Sequence, residues 1–130
     1  MTCATLGPNR RPHLMPLWYV HDGPVLLAWT FGKSQKVKNL ERDPRATLQV
    51  EDGEQYQELR GVMIESTAEI HRDTGRVTEF GVELFERYGS VTAGEGFLEV
   101  VRAQAAKRVA LQFVPARVAT WDHRKLGGVY

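Results

Sequence analysis

The stretch whose reading decides the fold is "VLLAWTFGKSQKVKNLERDPR", residues 25–45. Residues 25–31 are β-rich and apolar at consecutive positions, which predicts a strand covered on both faces. Gly32 stops it. Ser34 then predicts the N-cap of a helix of two to three turns that reaches about Arg42, with Val37 and Leu40 as a narrow buried stripe. Asp43-Pro44 ends this helix, because proline disfavours the α conformation in the residue before it. The helix is charged against its own dipole. Lys33, Lys36 and Lys38 crowd its start and Glu41 and Asp43 its end, whereas a macrodipole favours acids first and bases last, each misplaced charge costing about 0.3–1 kcal/mol. Residues 33–45 hold five basic and two acidic side chains in a chain of net charge +1.

Two readings of that inversion stand side by side. In one, the first N–H groups of the helix, which lack internal acceptors, join the Ser34 hydroxyl and the charges of Lys33 and Lys36 in a pocket for a phosphate. In the other, the lysines decorate a solvated helix face.

Working outward, residues 3–7 predict a strand and "GPNRRP" (7–12) a turn. "HLMPLWYV" (13–20) alternates, with His13, Met15, Leu17 and Tyr19 on one face and Leu14, Pro16, Trp18 and Val20 on the other; both faces are largely apolar, so both are expected to be covered. Pro16 cannot donate to a ladder, which places it at an edge, a bulge or a gap facing a ligand. Such a gap suits a flat aromatic ligand, with Met15 and Trp18 as apolar and stacking contacts; plain core packing explains the same pattern. "HDGP" (21–24) predicts a hairpin turn. Beyond Pro44 come a strand over 46–52, a long strand over 56–70 bending at Gly61, helices over 73–89 and roughly 95–106, and a last strand over 108–122 whose Pro115 suggests an edge or a kink. Antiparallel hairpins with helices in separate clusters argue for an α+β fold or a small barrel with peripheral helices, in one domain spanning 1–130.

Composition narrows the function. Net charge +1 gives no bulk attraction to nucleic acid or anionic membrane. No apolar run approaches the ~20 residues that span a bilayer, and no basic-then-apolar leader opens the chain. The lone cysteine, Cys3, excludes an internal disulfide and fits a reducing cytoplasm. The four histidines, His13, His21, His71 and His123, show no metal-ligand spacing; His21 and His71 read as turn residues. No nucleophile–base pair indicates a hydrolase, and no glycine-rich phosphate loop is present.

The order of "ATLGPNRRPHLMPLWYV", "SQKVKNLERDPRATL", "ELRGVMIESTAEI" and "WDHRKLGG" resembles the pyridoxamine 5′-phosphate oxidase-like superfamily. More narrowly, it is similar to the flavin/deazaflavin-dependent oxidoreductase branch, many of whose members bind coenzyme F420. The resemblance implies an antiparallel split β-barrel and a homodimer with cofactors in the grooves between subunits. It implies that Met15, Pro16, Leu17 and Trp18 line the tricyclic ring, and that Thr30 with Ser34 to Lys36 holds the phosphate side. Lys36 takes the position of the family's lysine; Lys33, Lys38, Asn39 and Arg60 are further candidates. It implies F420-dependent hydride transfer to a small organic acceptor, with no catalytic acid or base identified; Tyr19 or His13 would serve as proton source if either faces the ring. FMN in the same fold, or a non-enzymatic flavin- or F420-binding protein, are the alternatives. The further substrate-binding motifs of true pyridoxamine-phosphate oxidases are missing, so that activity is not expected.

Overall fold

The computed structural model describes residues 1–89 and 96–127. In chain order the elements are β1 (Thr2–Leu6), β2 (Pro12–Pro16), β3 (Val20–Asp22), β4 (Val25–Phe31), α1 (Gln35–Arg42), β5 (Arg45–Asp52), β6 (Arg60–His71), α2 (Thr74–Tyr88), α3 (Phe97–Ala105) and β7 (Arg108–Asp122). Single 3₁₀ turns at Tyr56–Glu58 and His123–Leu126 flank the β6–β7 pair. The strands form one antiparallel sheet in the order β2-β1-β5-β6-β7-β4-β3. The fold is therefore α+β, as expected.

The expected single strand over 13–20 is instead two short strands at opposite edges of the sheet. Pro16 ends the first, having no N–H to continue the ladder. Only four Cα steps separate Pro16 from Val20, about 14 Å at most, whereas seven flat strands would be roughly 29 Å wide. The sheet must curl to bring its edges that close without closing its hydrogen bonding, which is the split-barrel form.

The curl creates one concave core. Cys3, Leu48, Ile64, Ala68, Leu111, Phe113, Ala28 and Leu26 meet Val37 and Leu40 of α1 there. Burying those two α1 side chains supplies roughly 3–6 kcal/mol toward docking the helix. On the other side of β4, Leu27 and Trp29 pack with Ala110 against Val77, Phe80 and Leu84 of α2 and Val101 of α3. β4 is thus covered on both faces, as its composition predicts. β2 is not: Leu14, Met15 and Trp18 just beyond it are exposed, which corrects the expectation that both its faces are covered. An edge strand bonded only to β1 has no element above it.

The bend foreseen at Gly61 also moves. β6 runs as a strand through Gly61, and the irregularity falls between Glu65 and Ser66, opposite Pro115 and Arg117 of β7. Gly61 is needed for another reason: a Cβ there would sit 2.3 Å from the Trp121 ring and 2.7 Å from the Val50 carbonyl oxygen. His21 and His71 lie in strands rather than turns.

Gly81 is the comparable close approach in α2, where a Cβ would lie 2.5 Å from the Trp29 ring and 2.8 Å from Val101 Cγ1. Alanine ordinarily stabilises a helix interior by about 1 kcal/mol over glycine. Here overpacking outweighs that gain, so Gly81→Ala is predicted to lower unfolding stability by about 1–3 kcal/mol. Urea denaturation checks this, and an increase in stability would contradict the packing described.

Candidate functional site

The site is built where β4 hands over to α1. Thr30 is the penultimate residue of β4, and its side chain points into the concave core with Ala28 and Leu26. After Phe31 the chain turns tightly, the Ser34 N–H donating to the Phe31 carbonyl at 3.0 Å. Ser34 stands at the N-cap with extended backbone, φ −69° and ψ 156°. Its side chain does not cap the helix, contrary to the sequence expectation. Instead Ser34 Oγ is buried with no hydrogen-bond partner among the described residues. The Lys38 N–H donates to the Ser34 carbonyl, so the N–H groups of Gln35, Lys36 and Val37 have no acceptor inside the helix. A buried hydroxyl without a partner is costly in a folded protein. Unpaired donors at a helix start are the kind of group that anions engage.

Lys36 lies on the inner side of α1, only 8% exposed. Its ammonium donates to Thr30 Oγ1 at 3.0 Å, the one hydrogen bond it makes among the described residues. Burial pushes its pKa below the ordinary lysine value, and the Cys3 thiol nearby opposes that shift. Burial likewise pushes the Cys3 thiol up to about 11, with the Lys36 ammonium pulling it back. Cys3 is therefore an inert, protonated core residue.

Asn39 continues the same polar seam. It is fully buried, donates through Nδ2 to Thr5 Oγ1 at 3.0 Å, and accepts from Gln35 Nε2 at 2.8 Å. Arg42 reaches both Asn39 and the Leu6 carbonyl. Lys36 and Asn39 thus tie the two turns of α1 to β4 and β1. The inverted polarity is partly neutralised from outside the helix. Glu41 is bound by Arg72 and Asp43 by Arg45, and Arg45 holds the Asp43 carboxyl at about 2, mainly through side-chain hydrogen bonding. Lys33 and Lys38 are exposed.

The other predicted site residues are placed as follows. Leu17 is buried in the same core as Val37, and its backbone exchanges two hydrogen bonds with Met1. Met15 and Pro16 lie exposed on β2. Trp18 is 52% exposed and stacks on Tyr88, ring centroids 5.1 Å apart and planes 12° from parallel. Arg60 begins β6 at the end opposite His71, pairs with Asp52 and donates to the Glu58 carbonyl. One chain therefore joins Thr30 to Lys36 directly and carries Ser34 and Asn39 on the same short segment, with Leu17 in the adjoining core, and leaves Arg60 apart. Of the proton sources considered, His13 has a buried Nδ1 without a hydrogen-bond partner among the described residues, and Tyr19 lies beneath the Arg87 guanidinium. Tyr88 and Arg87 escaped sequence reading, because Tyr88 continues the buried stripe of α2 and nothing local marks it as a partner of Trp18. A separate trough of about 490 Å³ crosses β1, β5 and β6 and is lined by none of the predicted residues. No cluster of three or more potential metal ligands occurs among the described residues. No described helix is long and apolar enough to cross a membrane.

A curled antiparallel sheet with a short helix docked at the end of its doubly covered strand defines the split-barrel class. Within that class the chain belongs to the pyridoxamine 5′-phosphate oxidase family, whose model matches residues 1–122. It is similar to the conserved hypothetical protein Rv2991 of Mycobacterium tuberculosis, with a TM-score of 0.88 and 43% identity over 99% of this chain and 80% of that one. It is also similar to an F420 reductase, with a TM-score of 0.71 and 26% identity over 91% of this chain and 86% of that one. The haem storage protein HutZ of Vibrio cholerae shares the fold at a TM-score of 0.70 and 15% identity, over 93% of this chain and 83% of that one. No curated protein matches the chain significantly.

A buried ammonium with one neutral acceptor is a stability cost. Its lowered folded-state pKa means the unfolded chain holds the proton more tightly, so the cost is present at neutral pH and fades as pH rises toward the ordinary lysine value. Lys36→Met is accordingly predicted to raise the melting temperature of the ligand-free protein by about 4 °C, equivalent to about 1 kcal/mol. Calorimetry at pH 7 checks this; a marked fall in melting temperature would show that the ammonium is needed for folding.

Proposed function

We propose that this protein is an oxidoreductase that uses reduced coenzyme F420 to reduce a small organic acceptor, from a groove between two copies of the chain. The observation that carries this reading is the unsatisfied Ser34 hydroxyl beside three free N–H groups, at the end of the strand that organises the barrel. That donor set suits the phosphate of a cofactor. The likeness to an F420 reductase at 26% identity favours the deazaflavin over FMN.

In this reading, Ser34 and the first turn of α1 bind the phosphate, with Lys33 adding charge at the rim. Lys36 and Asn39 are positioning residues: they fix the turn by holding Thr30 and Thr5. Met15, Pro16 and Trp18 offer an exposed apolar surface for a tricyclic ring. A second copy covers that surface, excludes water and brings Arg60 to the groove. When bound, the reduced deazaflavin supplies a hydride to the acceptor, which gains two electrons and takes a proton from solvent. No side chain of this protein is assigned as a catalytic acid or base.

Equilibrium titration of the purified protein with F420 and with FMN, followed by an acceptor screen, tests the proposal. Tighter binding of F420 and turnover of at least one acceptor are expected. Ser34→Ala and Lys33→Ala are each expected to weaken F420 binding about tenfold, the loss of one charge-assisted hydrogen bond; Lys33→Ala leaves the melting temperature of the ligand-free protein unchanged, and Ser34→Ala, which removes the unpartnered hydroxyl, raises it slightly. Preference for FMN would reassign the cofactor, and binding of F420 without consumption of its reduced form across the panel would make this a binding protein rather than an enzyme.

A further inference from the structure

The turn between β1 and β2 belongs to neither core and lies outside the site described above. Leu6 and Pro12 face each other at its base. Three hydrogen bonds close it. The Gly7 N–H donates to the Arg11 carbonyl at 2.9 Å, the Arg10 N–H to the Gly7 carbonyl at 3.0 Å and the Arg11 N–H to Asn9 Oδ1 at 3.2 Å. Arg10 stands at φ 63°, the one non-glycine residue in the left-handed region among the described residues. Glycine adopts that conformation freely and arginine at a cost, so the stability of the turn does not explain a charged side chain there. Arg42 ties α1 to the same place through the Leu6 carbonyl, and its other acceptor, Asn39 Oδ1, is neutral. Lys38 lies one turn earlier on the same helix face. Arg10, Arg11, Lys38 and Arg42 are all exposed, and none has a carboxylate partner among the described residues. The two acids at this end of α1 are taken, Glu41 by Arg72 and Asp43 by Arg45. The charge of the chain is therefore unevenly spread: residues 1–42 carry six basic and two acidic side chains, and the remainder eleven and fourteen. Unpaired cations gathered at one end of a sheet repel one another and attract an anionic surface.

The neighbours of these cations decide which surface. No aromatic side chain occurs in residues 6–12 to stack on the bases of a nucleic acid. The bordering side chains are aliphatic instead: Pro8, Pro12 and Leu14 are exposed, the last by 58%, on an edge strand bonded only to β1. Cations beside shallow apolar groups match a lipid–water interface, where the cations meet phosphate and the apolar groups enter the acyl boundary. We propose that the β1–β2 turn, with Lys38 and Arg42 of α1, is the surface by which this protein docks reversibly on a membrane of anionic phospholipid.

Sedimentation of the whole protein with vesicles of phosphatidylglycerol and phosphatidylcholine in equal parts, and with vesicles of phosphatidylcholine alone, tests this. Binding to the first and not to the second is expected, weakening as salt is added. Arg10→Gly combined with Arg11→Gln is expected to weaken binding about 25-fold, from about fivefold for each arginine near an anionic surface. Arg10→Gly alone is expected to leave the melting temperature unchanged or higher, since glycine suits the backbone there, so the lost binding is not lost folding. Leu14→Ser is expected to weaken binding at every salt concentration. Lys125→Gln removes one exposed charge beyond the end of β7, where Asp122 lies opposite Arg60, far from the turn, and is expected to leave binding unchanged. Equal binding to both kinds of vesicle, or to neither, overturns the proposal, as does unchanged binding in Leu14→Ser or an equal loss in Lys125→Gln. Displacement from the vesicles by millimolar inorganic phosphate overturns it in favour of a small-anion site, and tighter binding to a short single-stranded RNA than to the anionic vesicles overturns it in favour of a nucleic acid.

Discussion

A single buried hydrogen bond, from the Lys36 ammonium to the Thr30 hydroxyl, joins the last turn of the most protected strand to the first turn of the helix that caps the concave core. Much of the site's geometry depends on it. β4 is fixed on both faces, by α1 on one and by α2 with α3 on the other, so the position of Thr30 is set by two cores at once. Lys36 transmits that fixity to the start of α1, and Asn39 repeats the arrangement one turn later against Thr5 of β1. A helix of eight residues has little intrinsic stability. Here Val37 and Leu40 supply the burial, and the polar pair supplies register.

This arrangement changes how the inverted helix is understood. Three lysines near a positive helix end suggest three charges gathered around an anion. In the folded chain one of them has turned inward and gone to structural use, and two remain outside. The unpartnered donors lie instead on the backbone at the start of α1 and on the buried Ser34 hydroxyl. In the proposed reading an anion there would meet donors that the fold leaves open, beside a lysine held on Thr30. Burying the Lys36 ammonium costs stability, and its hydrogen bond to Thr30 holds α1 against β4.

The sequence made the local elements legible wherever a chemical signal was local. The span of β4 follows from its apolar run, the ends of α1 from Ser34 and Asp43-Pro44, and β7 from its β-branched stretch. It misled where the deciding interaction was between distant segments. "HLMPLWYV" reads as one strand because alternation is a local property, but its two halves serve opposite edges of a curled sheet, which only the long-range pairing of β1 with β2 and of β4 with β3 reveals. Gly61 reads as a bend because nothing nearby announces Trp121, sixty residues on, whose ring occupies the space a side chain would need. Of the candidate residues, Ser34 and Lys36 follow from the cap and charge pattern of 30–45, whereas Thr30 and Asn39 came only from the family resemblance. The Trp18–Tyr88 stack was not legible, since its partners are seventy residues apart and Tyr88 carries the same periodicity as the buried face of α2. Within one chain Arg60 stands apart from Met15 and Trp18, paired with Asp52 at the far end of β6.

The central claim is that an anionic headgroup docks on the backbone at the start of α1. Amide chemical shifts from ¹⁵N-labelled protein titrated with F420 test it most directly. The account predicts that the largest shifts fall on Gln35, Lys36 and Val37, with saturation at one equivalent per chain. Shifts concentrated instead on the trough lined by Ala4, Thr47 and Glu65, with those three amides unmoved, would contradict it.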